Sequence, residues 1–156
     1  HRPLRNPLID AAVAAARTRF GNRVVARKGA AREVLRLLRR NWMVGVPLDL
    51  DVRHGVFVDF FSLKASTSDG LARLAIATRA PVIPAFMVRD GASSRHWLEC
   101  LEPLEVIRGA DREESVLLNT QRYTRIIEEM VRRHPDHWNW IHRRWKTRPP
   151  GEARFY

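Results

Sequence analysis

Apolar residues recur along this chain in two rhythms, one helical and one extended, and their alternation is the first guide to its fold. Behind Asn6-Pro7 they follow helical spacing. An Asn side chain can cap the first free N–H groups there, and proline fills a helical position that needs no N–H, so a helix is expected over 7–20, stopping at Gly21-Asn22. A short β-like run at 24–26 precedes an arginine-rich helix over 30–40 with Val34, Leu35, Leu37 and Leu38 on its apolar side. Residues 43–48 read as a buried strand ending at Asp49-Leu50-Asp51. A second strand is expected over 56–61, a cap-rich turn over 66–69, and a helix over 70–78 with Leu71, Leu74 and Ala75 inward. Further strands are expected over 82–88, 97–100 and 104–107. A last long helix over 112–133 presents Val116, Tyr123, Ile127 and Met130 near one face and ends before His134-Pro135. Alternating strands and helices predict an α/β fold, with a mixed, largely parallel sheet flanked by helices. With 156 residues, 45% of them hydrophobic, and no repeat or low-complexity linker, one domain with one core is expected across 1–156.

Charge adds a partner to this picture. The net charge of +11 is uneven: residues 1–40 hold 11 Lys/Arg against 2 acids, 41–131 hold 10 against 13, and 132–156 hold 7 against 2. If the fold brings both basic ends to one face, that face attracts anionic lipid or nucleic acid through the same field. Arginine supplies 25 of the 28 cations, which suits bidentate phosphate contacts, although a GC-rich genome yields the same bias. Cys100 is alone, so no disulfide framework or thiolate metal cluster forms within the chain, and a reducing compartment is the default. The apolar stretches 42–48 and 80–88 fall far short of the roughly 20 residues that cross a bilayer.

Three places hold candidate chemistry. The closing block, residues 137–149, sets Trp138, Trp140 and Trp145 among Arg143, Arg144, Lys146 and Arg148. Such amphipathic rings beside cations suit a headgroup layer, a phosphorylated glycolipid or a nucleic acid, and equally suit a helix end packed on the domain. Asp49 and Asp51 stand beyond an expected strand, where ligands gather in α/β sheets. Asp49 and Asp51 are not read as a metal pair: one can hold a cation or cap a turn while the other faces a pocket. His54 and Asp59 have the histidine–four residues–acid spacing of an acyl-transfer base, but an odd spacing along a strand sends them to opposite faces. No metal ligands are assigned, and no glycine-rich phosphate loop or nucleophile elbow is present.

The motifs in order, Arg2-Pro3 with Asn6-Pro7-Leu8-Ile9-Asp10, Arg27-Lys28-Gly29, Asp49-Leu50-Asp51, Val56-Phe57-Val58-Asp59-Phe60-Phe61, Ala65-Ser66-Thr67, Ala80-Pro81-Val82-Ile83-Pro84 and His142-Arg143-Arg144-Trp145-Lys146-Thr147-Arg148-Pro149, resemble the lipid A late acyltransferases. These are the lauroyl and myristoyl transferases of the lysophospholipid acyltransferase superfamily. The sequence departs from the family where Ser62 replaces the usual Gly and Leu50 replaces a polar residue. The family's catalytic histidine and its acidic partner precede the segment matching Arg2-Pro3, beside an N-terminal membrane anchor. The resemblance therefore implies that this chain, which opens at His1, is the C-terminal two-thirds of the enzyme and is inactive alone.

The resemblance further implies transfer of a fatty acyl group from the thioester of acyl carrier protein or coenzyme A to a hydroxyl of a membrane glycolipid. A lipid A precursor is the first choice of acceptor and a phosphatidylinositol mannoside the second, with no metal or redox cofactor. Acyl carrier protein, the anionic glycolipid and a membrane surface are the implied partners, at the cytoplasmic face of the bacterial inner membrane. Arg2, Arg27 and Lys28 become candidates for binding acceptor phosphate or sugar, Asp49 and Asp51 for organising that pocket, and Pro84 for shaping it. Arg2 serves equally well as an ion-pair partner of Asp49 or Asp51. A rival of another class is a non-catalytic basic nucleic-acid-binding domain, which accounts for the charge but not for the ordered motifs.

Overall fold

The computed structural model describes residues 5–25 and 29–156, and its backbone gathers into two compact units, His1–Gly45 and Val46–Tyr156. In the first unit, α1 (Pro7–Thr18) opens as its sequence dictates: the Asn6 side-chain oxygen accepts the Leu8 N–H at 3.0 Å and the Ile9 N–H at 3.4 Å. Gly21, at φ 81°, takes the left-handed conformation that turns the chain away. Helix α2 (Ala30–Leu38) buries Val34 and Leu37, and Trp42 receives the Arg23 guanidinium 4.6 Å from its ring. The strand expected at 24–26 is not formed by Val24 and Val25, and Ala26 lies outside the described residues; residues 43–48 form no strand either. A strand needs a neighbour for its N–H and C=O groups, and apolar content alone does not supply one.

The second unit is built from two hairpins and two helices. Strands β1 (Val56–Phe60) and β2 (Leu63–Thr67) pair antiparallel, with Phe60 opposite Leu63. Helix α3 (Gly70–Thr78) follows, then β3 (Ala85–Arg89) and β4 (His96–Cys100), again antiparallel, and finally α4 (Arg112–Arg133). Helix α4 lies against both β1 and α3. Its Val116 and Tyr123 pack with Leu48 and Ala72, while Val131 packs with Phe60 and Ala65, and Ile127 touches both groups. Two polar side chains of α4 finish the packing. Gln121 pairs with both the N–H and the carbonyl of Asp59, at 2.7 and 2.9 Å, occupying part of the open edge of β1. The buried Asn119 amide holds both the N–H and the carbonyl of Ile107, at 3.0 and 2.7 Å.

The α/β class is observed, but the largely parallel sheet expected from the alternation is not: among the described residues both ladders are antiparallel. The reason lies in the connections. Two residues join β1 to β2 and the 90–95 loop joins β3 to β4, whereas a parallel crossover needs about a dozen residues or more. Ser66 and Thr67, expected in a turn, close β2 instead. Expected strand 82–88 is shortened to β3, with Val82 in an isolated bridge to Leu104, which is all that forms of the strand expected over 104–107.

The tip of the first hairpin is under local strain. Phe61 and Ser62 both have positive φ, 51° and 62°, which is the twist that a two-residue hairpin turn requires but which favours Asn and Gly. Phe61 is held there by Glu128, whose carboxylate accepts its N–H at 2.7 Å, and by the Arg132 guanidinium, 4.5 Å from its ring. Ser62→Gly relieves the second strained position and is expected to stabilise the unit by about 1 kcal/mol. A higher urea midpoint at unchanged slope checks this; a lower midpoint would place the strain elsewhere.

Candidate functional site

After α4, a 3-10 turn at Pro135–His137 starts a run of tight turns that lays the Trp-Arg block on the first hairpin. Trp138 and Trp145 each bring their rings to 5.6 Å from Phe60, and the Trp145 indole N–H reaches the Phe60 carbonyl at 3.3 Å. Arg144 enters beside them. It is 1% exposed, donates from Nη1 to the Ser66 carbonyl at 2.8 Å and from Nη2 to the Thr67 hydroxyl at 2.5 Å, and lies 5.4 Å from the Phe60 ring centre. Burial pulls its pKa below the usual arginine value, while the negative charges of Asp51 and Asp49 act in the opposite direction. Arginine nevertheless stays charged in proteins, so this is a buried cation compensated by two acids in the loop before β1.

Those two acids have different employment. The Asp51 carboxylate accepts both the N–H and the hydroxyl of Thr147, each at 3.0 Å, and the Asp51 N–H donates to His142 Nε2 at 2.9 Å. Residues 51, 142 and 147 thus form a bracket between chain segments about ninety positions apart. Asp49 is half-buried, and no side-chain hydrogen bond or ion pair holds it among the described residues. Gly55 lets this region close: a Cβ there would lie 2.3 Å from the Thr67 carbonyl oxygen and 2.6 Å from Val52 Cγ2.

The remaining expected site residues separate. Arg2, Arg27 and Lys28 lie outside the described residues. Pro84 precedes β3 and accepts the Leu101 N–H at 2.9 Å, a place in the second hairpin rather than in the bracket. The residues expected to meet headgroups divide by direction. Trp138 and Trp145 pack on Phe60, and Arg144 is buried. Arg148, whose side chain is only 8% exposed, donates to the Lys64 carbonyl at 2.6 Å and pairs with Glu152. Arg144 and Arg148 are therefore corrected from headgroup contacts to internal fasteners, because the turns after Pro135 aim them at β2 carbonyls. Trp140, Arg143 and Lys146 face outward.

The histidines are engaged in structural hydrogen bonds where their partners are visible. His142 Nε2 accepts the Asp51 N–H and His137 Nε2 accepts the Arg89 N–H, each at 2.9 Å, so neither lone pair is free to take a proton from a hydroxyl. Asp59, the spacing partner of His54, is instead joined across the hairpin to Lys64 at 2.9 Å. Among the described residues no group of three or more His, Cys, Asp or Glu side chains is placed to hold a metal, and no helix is long and apolar enough to cross a membrane. The sequence did not mark Thr147 as a partner of Asp51, nor Ser66 and Thr67 as the acceptors of Arg144. Only their membership of the motifs marked them, since a hydroxyl carries no spacing signal of its own.

Comparison with known proteins bears on this geometry. A family described as bacterial lipid A biosynthesis acyltransferase matches residues 1–147, a span that ends on the bracket residue Thr147. A lipid A biosynthesis myristoyltransferase of Escherichia coli (strain K12) is 31% identical over 153 residues, covering 97% of this chain and 46% of that protein. A lipid A biosynthesis acyltransferase of Haemophilus influenzae is 30% identical over 155 residues, covering 97% and 46%. A lipid A biosynthesis lauroyltransferase of Escherichia coli (strain K12) is 29% identical over 154 residues, covering 97% and 49%. The chain spans about half the length of these curated relatives.

Proposed function

Because the chain belongs to the bacterial lipid A biosynthesis acyltransferase family, we propose that it carries the acceptor-side half of an O-acyltransferase. The reaction moves a fatty acyl group from the thioester of acyl carrier protein or coenzyme A to a hydroxyl of a membrane glycolipid, a lipid A precursor first of all, at the cytoplasmic face of the inner membrane. A base removes the hydroxyl proton, the oxygen attacks the thioester carbonyl, and the thiol leaves from the tetrahedral oxyanion. The observation that carries this reading is the bracket: it joins Asp49-Leu50-Asp51 to His142-Thr147, two motifs within the family match, into one assembly. Within it Asp51 acts as a positioning residue and Asp49 is an acid offered to the acceptor; Arg2, Arg27 and Lys28 are assigned by the resemblance to acceptor phosphate or sugar, and Pro84 to shaping the pocket. The engaged lone pairs of His137 and His142 leave neither of these two as the base; this reading takes the base from a segment outside residues 1–156, as the resemblance implies, so the chain by itself is inactive, with no metal or redox cofactor required. A largely parallel sheet in the whole enzyme remains part of this proposal.

The test is acyl transfer from labelled acyl carrier protein to a lipid A precursor, by the 156-residue chain and by a protein of the relatives' full length containing it. Transfer is expected only from the longer protein. In that protein Asp49→Asn should raise KM for the acceptor about tenfold, as for loss of one charge-assisted hydrogen bond, with kcat little changed. Transfer to a phosphatidylinositol mannoside alone would change the acceptor. Transfer by the short chain would place the base within it, and an unaltered KM would remove Asp49 from the acceptor site.

A further inference from the structure

The same turns that bury Arg144 push two apolar side chains out of the fold. Ile141 is 93% exposed and Trp140 57% exposed. Trp140 is nonetheless fixed: its indole N–H donates to the Pro135 carbonyl at 2.7 Å and its ring lies 6.5 Å from Phe61. The backbone beneath is tied by the His142 N–H to Asn139 carbonyl bond at 3.0 Å. Among the described residues nothing packs over Ile141.

The cations of this end of the chain sort into two sets. Arg132 pairs with Glu128 at 2.6 Å, Arg133 with Glu99 at 2.9 Å, Arg148 with Glu152, and Arg144 is buried. Arg143, Lys146 and Arg154 have no carboxylate within 4 Å among the described residues, and all three are exposed. Arg143 instead lies 5.6 Å from the ring of Tyr156, itself exposed beside Phe155. Two residues of chain span no more than about 7 Å, so the unpaired Arg143 is bound to sit close to the Ile141 tip.

We infer that the Trp140-Ile141 turn, with Arg143 and with Lys146, whose N–H is bonded to the Arg143 carbonyl, is a docking surface for an anionic phospholipid bilayer. Trp140 and Ile141 enter the interfacial layer, and the cations meet lipid phosphates. A second copy of the chain is disfavoured by the like charge it would bring. A nucleic acid uses cations and stacking rings but offers nothing to the foremost side chain, Ile141. The inference rests on the acyltransferase reading only for the expectation that a membrane is near; the surface itself follows from exposure and charge.

Sedimentation of the 156-residue chain with vesicles of phosphatidylcholine, alone or mixed with phosphatidylglycerol, tests it. Binding is expected to the mixed vesicles and to weaken with salt. Ile141→Asp and the double variant Arg143→Glu, Lys146→Glu should each lower that affinity about tenfold or more, while Met87→Asp, at a residue 67% exposed in β3, should not. Circular dichroism should be unchanged in all three, since none removes a buried group. Brominated lipid should quench tryptophan emission in wild type, and less in Trp140→Phe. Equal binding to neutral vesicles, or wild-type affinity in the Ile141→Asp variant, overturns the inference. So does binding of duplex DNA in place of vesicles that is sensitive to the charge reversal but not to Ile141→Asp. Acyl transfer to detergent-dispersed acceptor by the protein of the relatives' full length separates the two readings: its absence defeats the enzymatic proposal and leaves the vesicle result standing.

Discussion

Replacing Arg144 with alanine is expected to cost the Val46–Tyr156 unit about 3 kcal/mol of stability or more. The substitution deletes two donors whose acceptors are buried, the Ser66 carbonyl and the Thr67 hydroxyl, and hydrogen bonds to charged groups contribute about 1.5 to 3 kcal/mol each. It also opens a cavity against Phe60 and removes the cation that compensates Asp51 and Asp49. Arg144→Lys keeps the charge but not the planar fork, and should lose roughly half as much. Arg143→Ala, one position earlier and exposed, should stay within about 0.5 kcal/mol of wild type. Urea unfolding followed by tryptophan emission measures all three, because Trp138 and Trp145 report the Phe60 cluster directly. Equal midpoints for the Arg143→Ala and Arg144→Ala proteins would remove the buried fastener from this account.

Gly55→Ala is expected to destabilise the same unit by about 2 to 3 kcal/mol, as overpacking against backbone does. The cause is space rather than conformation. Its Cβ would meet the Thr67 carbonyl oxygen at 2.3 Å, and a main-chain atom in a ladder cannot rotate away. Relief requires the start of β1 to part from the end of β2, which moves the hydroxyl that Arg144 grips. Gly45→Ala, where nothing lies within 4 Å, provides the contrast and should be neutral or slightly stabilising. Thermal melts of the two variants decide: a Gly55→Ala protein as stable as wild type would show that the hairpin does not close as tightly as the structure has it.

These two positions show where the chain's own pattern runs out. Local signals were legible. Asn6-Pro7 opened α1, and the helical spacing of 70–78 and 112–133 gave α3 and α4 their full extents. Each of these rests on bonds or periodicities a few residues long, which a sequence displays directly. The ordered motifs likewise identified the family before any coordinate did. Strand pairing was not legible, because β2, with Lys64, Ser66 and Thr67, carries no apolar run, and because the direction of a ladder is set by its connections and partners.

The closing block divides along the same line. Its composition announced an aromatic and cationic surface, and five consecutive charged or aromatic side chains look equally exposed when written in a row. Only the tertiary structure decided that Arg144 and Arg148 turn inward, that Trp140 and Ile141 turn out, and that Asp51 is spent on Thr147. The physical reason is that desolvation depends on what lies on the other side. An arginine is buried where unpaired carbonyls await it, and those carbonyls belong to a hairpin about eighty residues away.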